Sequence, residues 1–119
     1  MFLRGIRGAI TIKADTKEEI ESATVELLDE IIKQNQINIE DIASAIFTVT
    51  KDIKADFPAK YARLKMGFKY VPMMNFMEAD ITGALEKCIR VMLNVNTEKK
   101  QTEIKHIYLR EAKQLRQDL

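Results

Sequence analysis

Phe2-Leu3-Arg4-Gly5-Ile6-Arg7-Gly8-Ala9-Ile10-Thr11-Ile12, followed after a short polar gap by Thr16 to Gln34, carries the clearest change of hydrophobic period in the chain. Residues 2–12 alternate with the period of a strand. Phe2, Arg4, Ile6, Gly8, Ile10 and Ile12 share one face, and Leu3, Gly5, Arg7, Ala9 and Thr11 share the other. The period then changes. Ile20, Ala23, Leu27, Leu28, Ile31 and Ile32 recur at helical spacing, with Glu18, Glu21, Glu26, Asp29, Glu30 and Lys33 turned to water. Thr16 and Glu19 stand as a capping box at the start. A strand feeding an amphipathic helix predicts a sheet with one face covered by that helix. The second strand face is unusual, because Arg7 sits between the small residues Gly5 and Ala9. Small neighbours leave room into which a guanidinium can project. The plain alternative is a solvated arginine on a strand weakened by glycine.

Working outward, Asn38 to Asp41 reads as a capped turn, and residues 43–50 as a buried strand rich in β-branched side chains. Lys51 to Asp56 is a polar loop. Pro58 opens a short helix and Gly67 closes it. Residues 70–76 read as a third strand, where Pro72 marks an edge or a bulge. Residues 81–87 are expected as a helical turn. Residues 88–96 alternate cleanly: Ile89, Val91, Leu93 and Val95 point one way, and Cys88, Arg90, Met92, Asn94 and Asn96 the other. Arg90 therefore stands mid-strand on a partly polar face. Residues 105–109 form a last strand with His106 and Tyr108 on one side, and 110–119 read as a charged, mobile tail. The order β-α-β-(short α)-β-β-β predicts an α+β class close to α/β: a mixed sheet with one long helix.

Length and composition set further bounds. A chain of 119 residues is expected to form one domain, 1–119. The 19 basic and 18 acidic side chains leave +1, too little basic excess for a general nucleic-acid partner. A single cysteine, Cys88, excludes an internal disulfide and a four-cysteine zinc site, and a single histidine, His106, excludes a histidine metal cluster within one chain. No apolar run approaches the roughly 18 residues of a membrane helix, and the start, Met1 to Gly8, lacks the apolar core of a signal peptide. The expectation is a soluble cytoplasmic protein with no membrane partner, metal or cofactor.

No Ser-His-Asp set and no phosphate-binding glycine loop is present. No base is marked beside Cys88, which reads as a buried structural thiol. What remains is arginine on strands, a carboxylate at Glu78, a phenol at Tyr108 and an apolar ring at Phe57. Arginine forks bind carboxylates bidentately. Two of them, without nucleophile or base, suggest a dianionic ligand that is held and shaped.

The run from Arg4 to Ala9, Phe57 to Lys60 with Arg63, Tyr70 to Pro72, Glu78 with Asp80, Thr82-Gly83, Lys87 to Val91, His106, Tyr108-Leu109 and Leu115-Arg116 together resemble the monofunctional trimeric, AroH-type chorismate mutases. The resemblance implies a homotrimer, a pseudo-α/β barrel with active sites between subunits. It also implies the Claisen rearrangement of chorismate to prephenate in phenylalanine and tyrosine biosynthesis. That reaction is pericyclic and unimolecular, so the missing nucleophile and base fit it.

The implied roles follow the same residues. Arg90 would donate to the ether oxygen and the enolpyruvyl carboxylate, Arg7 would hold that carboxylate with Tyr108, and Glu78 would accept from the ring hydroxyl. Phe57 and Leu115, with the apolar part of Ala59, would close the cleft from the adjacent subunit. Lys60, Arg63 and Arg116 would draw in the dianion. The family usually has threonine and cysteine where this chain has Met74 and Asn75, and the cysteine assists Glu78 at the ring hydroxyl; Asn75 can still donate and accept. The competing reading is a non-catalytic trimer that binds a small dicarboxylate. A donor aimed at an ether oxygen speaks against it.

Overall fold

The computed structural model of the chain describes residues 1–116, the last of them without its side chain. Strand β1 (Phe2–Thr11) leads into helix α1 (Lys17–Asn35), and a 3-10 turn (Ile39–Asp41) into β2 (Ile42–Val49). Helix α2 (Pro58–Lys65), β3 (Met73–Met77), β4 (Cys88–Thr97), a 3-10 turn (Gln101–Glu103) and β5 (Ile107–Leu109) follow. A 3-10 helix (Arg110–Arg116) ends the described chain. The strands form one five-stranded sheet in the order β3-β2-β4-β1-β5. β4 is antiparallel to both β1 and β2, while β1 and β2 pair with β5 and β3 in parallel. The expected α+β class with a mixed sheet is the one observed.

Both helices lie on one side. Thr16 caps α1 by accepting from the Glu19 N–H at 3.1 Å, as its spacing predicted. The apolar stripe Ile20, Ala23, Leu27, Leu28 and Ile31 is fully buried against Ile6, Ile10, Ile89, Val91 and Leu93 of the sheet. Gly8 is the point of closest approach. A Cβ there would lie 2.6 Å from Ile31 Cδ1 and 3.1 Å from Leu27 Cδ1. Glycine is therefore required by the close packing of α1. Tyr61 and Ala62 of α2 enter the same core. The opposite face of the sheet carries neither helix and leaves Ile46, Met74 and Phe76 exposed.

Three local expectations are corrected. The third strand begins at Met73, not residue 70. Pro72 has no N–H for the ladder, and only its carbonyl takes part, accepting from Ala45 N at 3.0 Å. Residues 81–87 are turns rather than a helical turn, because Gly83 and Lys87 take positive φ of 84° and 48°. The last strand is shorter than 105–109. The buried Asn35 side chain at the end of α1 takes both backbone groups of Lys105, at 2.8 and 2.9 Å, and leaves it outside the ladder. The segment after Leu109 is a 3-10 helix as far as Arg116. Arg110 donates to the Thr11 carbonyl at 3.0 Å and to Glu26 at 2.9 Å, and Ala112 is buried. Gln117 to Leu119 lie outside the described residues.

Candidate active site

Strand register assembles the site on the helix-free face. Thr48 of β2 pairs with Arg90 of β4, Arg90 with Ala9 of β1, and Ala9 with Tyr108 of β5, so these side chains form one row across four strands. The neighbouring row runs Met74, Ile46, Met92, Arg7. Because the side-chain period is two, Arg7 and Arg90 emerge on the same side, opposite α1. Glu78 follows β3, where its N–H donates to the Val49 carbonyl at 2.8 Å and so sets the carboxylate beside Thr48.

Arg7, Thr48, Glu78, Arg90 and Tyr108 line a cavity of about 380 Å³ together with Gly8, Ile46, Val91, Met92 and Leu115. Thr48 Oγ1 donates to Glu78 Oε2 at 2.5 Å. The same oxygen stands 3.9 Å from Arg90 Nε, and that buried Nε makes no hydrogen bond among the described residues. A buried guanidinium N–H left unbonded is costly unless a ligand satisfies it. Arg7 is positioned through its backbone: its N–H donates to His106 Nδ1 at 2.9 Å.

A larger cavity, about 820 Å³, lies between Thr11–Lys13, Gly83–Lys87 and the final 3-10 helix. Two of its cations are engaged within the chain. Arg110 is held by Thr11 and Glu26, and Lys87 Nζ reaches the Lys13 carbonyl at 3.4 Å. The smaller cavity, with convergent arginines, is the better ligand site. Among the described residues no group of three or more His, Cys, Asp or Glu side chains is placed to hold a metal ion. No described helix is long and apolar enough to cross a membrane. Cys88 is buried beside Ala9 and Ala112. Burial pushes its thiol up and Arg90 pulls it the other way, with the thiol remaining above its ordinary value. It is a packing residue, as its setting in the sequence suggested.

Five of the expected site residues thus meet in one cavity: Arg7, Glu78, Arg90, Tyr108 and Leu115. Leu115 comes from the same chain as the arginines, because the final 3-10 helix folds back along β1. The others stand elsewhere. Phe57 is 64% exposed ahead of α2, Ala59 is buried, and Arg63 is exposed; none of them lines the cavity. Lys60 is paired with Asp56 at 3.0 Å. Asp56 also accepts from the Tyr61 hydroxyl and the Phe57 N–H, and these bonds hold its carboxyl down to about 2, with Lys60 adding to the effect. Met74 is 58% exposed in the row of Ile46. Asn75 is turned to the other face of the sheet, where its Oδ1 accepts from Ala59 N at 3.3 Å and supplies a cap that Phe57 cannot. Within one chain it therefore does not join Glu78, since positions 75 and 78 differ by an odd number of residues in a period of two. The side chain of Arg116 lies outside the described residues.

Sequence reasoning missed Thr48 and the anchoring role of His106. The alternation of 43–50 puts Thr48 opposite the buried Phe47, but only the pairing of β2 with β4 brings it to Arg90.

Comparison with known proteins agrees with this geometry. The family model described as chorismate mutase type I matches residues 3–119. The chain is 46% identical over 119 residues to the chorismate mutase AroH of Bacillus subtilis (strain 168), spanning 100% of this chain and 94% of that protein. It is 46% identical to the chorismate mutase AroH of Thermus thermophilus, over 99% of this chain and 97% of that protein. Among solved structures, a chorismate mutase from Clostridium thermocellum superimposes with a TM-score of 0.90 at 49% identity, over 92% of this chain and 97% of that chain. With its match to the family model running from β1 to the C-terminal residue, and its two arginines converging on one cavity, the chain belongs to the type I chorismate mutase family.

Proposed function

We propose that this chorismate mutase converts chorismate to prephenate by holding the dianion in its compact form and stabilising charge on the breaking ether bond. The observation that carries the mechanism is the half-exposed Arg90 side chain, its Nε unbonded among the described residues, lining a cavity with Arg7, Glu78 and Tyr108. Arg90 donates to the ether oxygen as the C–O bond lengthens, and that donor is already in place before reaction. Arg7 and Tyr108 hold the enolpyruvyl carboxylate. Glu78 accepts from the ring hydroxyl through an oxygen not taken by Thr48. Fixing the chair conformer removes rotational freedom that the free dianion would otherwise have to lose on the way to the transition state. No step needs a nucleophile or a proton transfer.

The second half of the site comes from another copy of the chain in a homotrimer. Phe57, Ala59 and Arg63 sit with α2 on the side of the sheet away from Arg90, so one chain cannot close its own cavity with them. The exposed Ile46, Met74 and Phe76 supply an apolar face for association. Arg63 and Lys60 add positive charge around the entrance, with Lys60 partly neutralised by Asp56.

The test is a chorismate absorbance assay on purified protein with light scattering alongside. Turnover by a trimer is expected. Mixing an Arg90→Ala protein with a Phe57→Ala protein should restore part of the activity, because a mixed trimer contains a cleft with both residues intact. A monomer with full activity would overturn the shared site. An inert protein that still bound prephenate would be a dicarboxylate binder instead.

A further inference from the structure

We infer that Thr48 is a positioning residue that holds the Glu78 carboxylate away from Arg90 and so keeps the half-exposed Arg90 guanidinium available to the ligand. This rests on the roles given above to Arg90 and Glu78. An arginine beside a carboxylate ordinarily closes into a short charge-assisted pair, at roughly 2.7–2.9 Å. Here the approach is 3.9 Å, outside hydrogen-bond range, although both residues line one cavity. The structure contains a specific reason for the gap. Thr48 Oγ1 donates to Glu78 Oε2, the oxygen that would otherwise meet Nε. The Glu78 backbone is fixed independently by its N–H on the Val49 carbonyl at 2.8 Å. The carboxylate is thus anchored at both ends.

The register explains why the residue at 48 can do this. Thr48 is the direct cross-strand partner of Arg90, so its short side chain rises from the sheet beside the guanidinium stem. From there its hydroxyl reaches Glu78 Oε2 at 2.5 Å. The β-branched threonine has few rotamers, which keeps the hydroxyl pointed at the carboxylate. Without that hydroxyl, Glu78 is free to turn its Oε2 onto Nε. The pair would then have to open before Arg90 could serve the ether oxygen.

Thr48→Val removes the hydroxyl at nearly constant volume. Loss of one hydrogen bond to a charged group, with closure of the Glu78–Arg90 pair, should lower kcat/KM about 10- to 100-fold. Thr48→Ser keeps the donor and should stay within about threefold of the parent. The decisive measurement is the same pair of substitutions in a Glu78→Gln background. A neutral carboxamide cannot close on Arg90 as an ion pair, so Thr48→Val should cost far less there, and the two changes should be strongly non-additive. Equal losses in both backgrounds would mean that the hydroxyl touches the ligand itself or acts only on the fold, and would overturn the inference. Thr48→Ala, which removes the same donor with less bulk, serves if the valine variant does not fold. Arg90→Ala and Glu78→Gln alone test the underlying reading. If neither lowers turnover, that reading fails; if both do and Thr48→Val is neutral or additive, only the positioning role fails.

Discussion

On the proposed mechanism, replacing Arg90 with alanine should separate transition-state stabilisation from binding. Arg90 Nε makes no hydrogen bond among the described residues, and its closest carboxylate oxygen is 3.9 Å away, with the side chain 40% exposed. Truncation therefore breaks no short internal ion pair, and stability should change by no more than about 1 kcal/mol. Catalysis should change far more. Removing one preorganised donor to a developing oxyanion costs on the order of 10²–10³ in rate. Arginine supplies a full charge and a fork, roughly doubling the free energy of a neutral donor, so kcat should fall by on the order of 10⁴ or more, about 5 kcal/mol in the barrier. Arg90→Lys keeps the charge without the planar fork and should recover only part of the rate. Arg7→Ala should raise KM more than it lowers kcat, because its carboxylate partner is charged before and during reaction. The assay is steady-state loss of chorismate absorbance on the three variants, with circular dichroism and light scattering to show that each is folded and associated. If Arg90→Ala altered KM alone and left kcat intact, the assignment of Arg90 to the ether oxygen would be wrong.

Turnover should vary little from roughly pH 6 to 9, since no group gives up a proton in the reaction; a bell-shaped kcat profile would point to acid–base chemistry instead. His106→Ala should raise KM through loss of the acceptor for the Arg7 N–H, while His106→Asn, which keeps an acceptor at the Nδ1 position, should restore most of the affinity; equal kinetics for the two variants would remove His106 from the anchoring of Arg7. Asp56 bears on acid stability. Its folded value is about 2, below the ordinary value near 4, so its contribution is present above that ordinary value and is lost as pH falls through the folded one. Asp56→Asn should therefore melt below the parent at neutral pH, and the gap should shrink on acidification from about pH 4 to about pH 2; calorimetry that found a constant gap would contradict this.

Alternation in residues 2–12 and 88–96, and the helical stripe from Ile20 to Ile31, were readable because each follows from a backbone period that the chain carries locally. The same periods put Arg7 and Arg90 on strand faces turned away from the core. The Thr16 cap and the Pro58 helix start are equally local. Elements held by distant partners were misread. Asn35 shortens the last strand by capturing Lys105, and Arg110 and Glu111 tie the start of the final 3-10 helix to Thr11. Positive φ at Gly83 and Lys87 goes with turns that the Asp52 carboxylate helps to hold through the Lys87 N–H.

Local pattern specified most of the elements, the faces they offer and, through the ordered motif residues, the family. Which faces meet was settled by long-range packing. The β3-β2-β4-β1-β5 order places Thr48 beside Arg90 and Tyr108 beside Ala9, though these partners are far apart in the chain. The same packing sends Asn75 to the helix side and Glu78 to the cavity. Period and propensity act over a few residues, whereas strand pairing and the docking of α1 on Gly8 are settled by burial of the whole core, which no local stretch encodes.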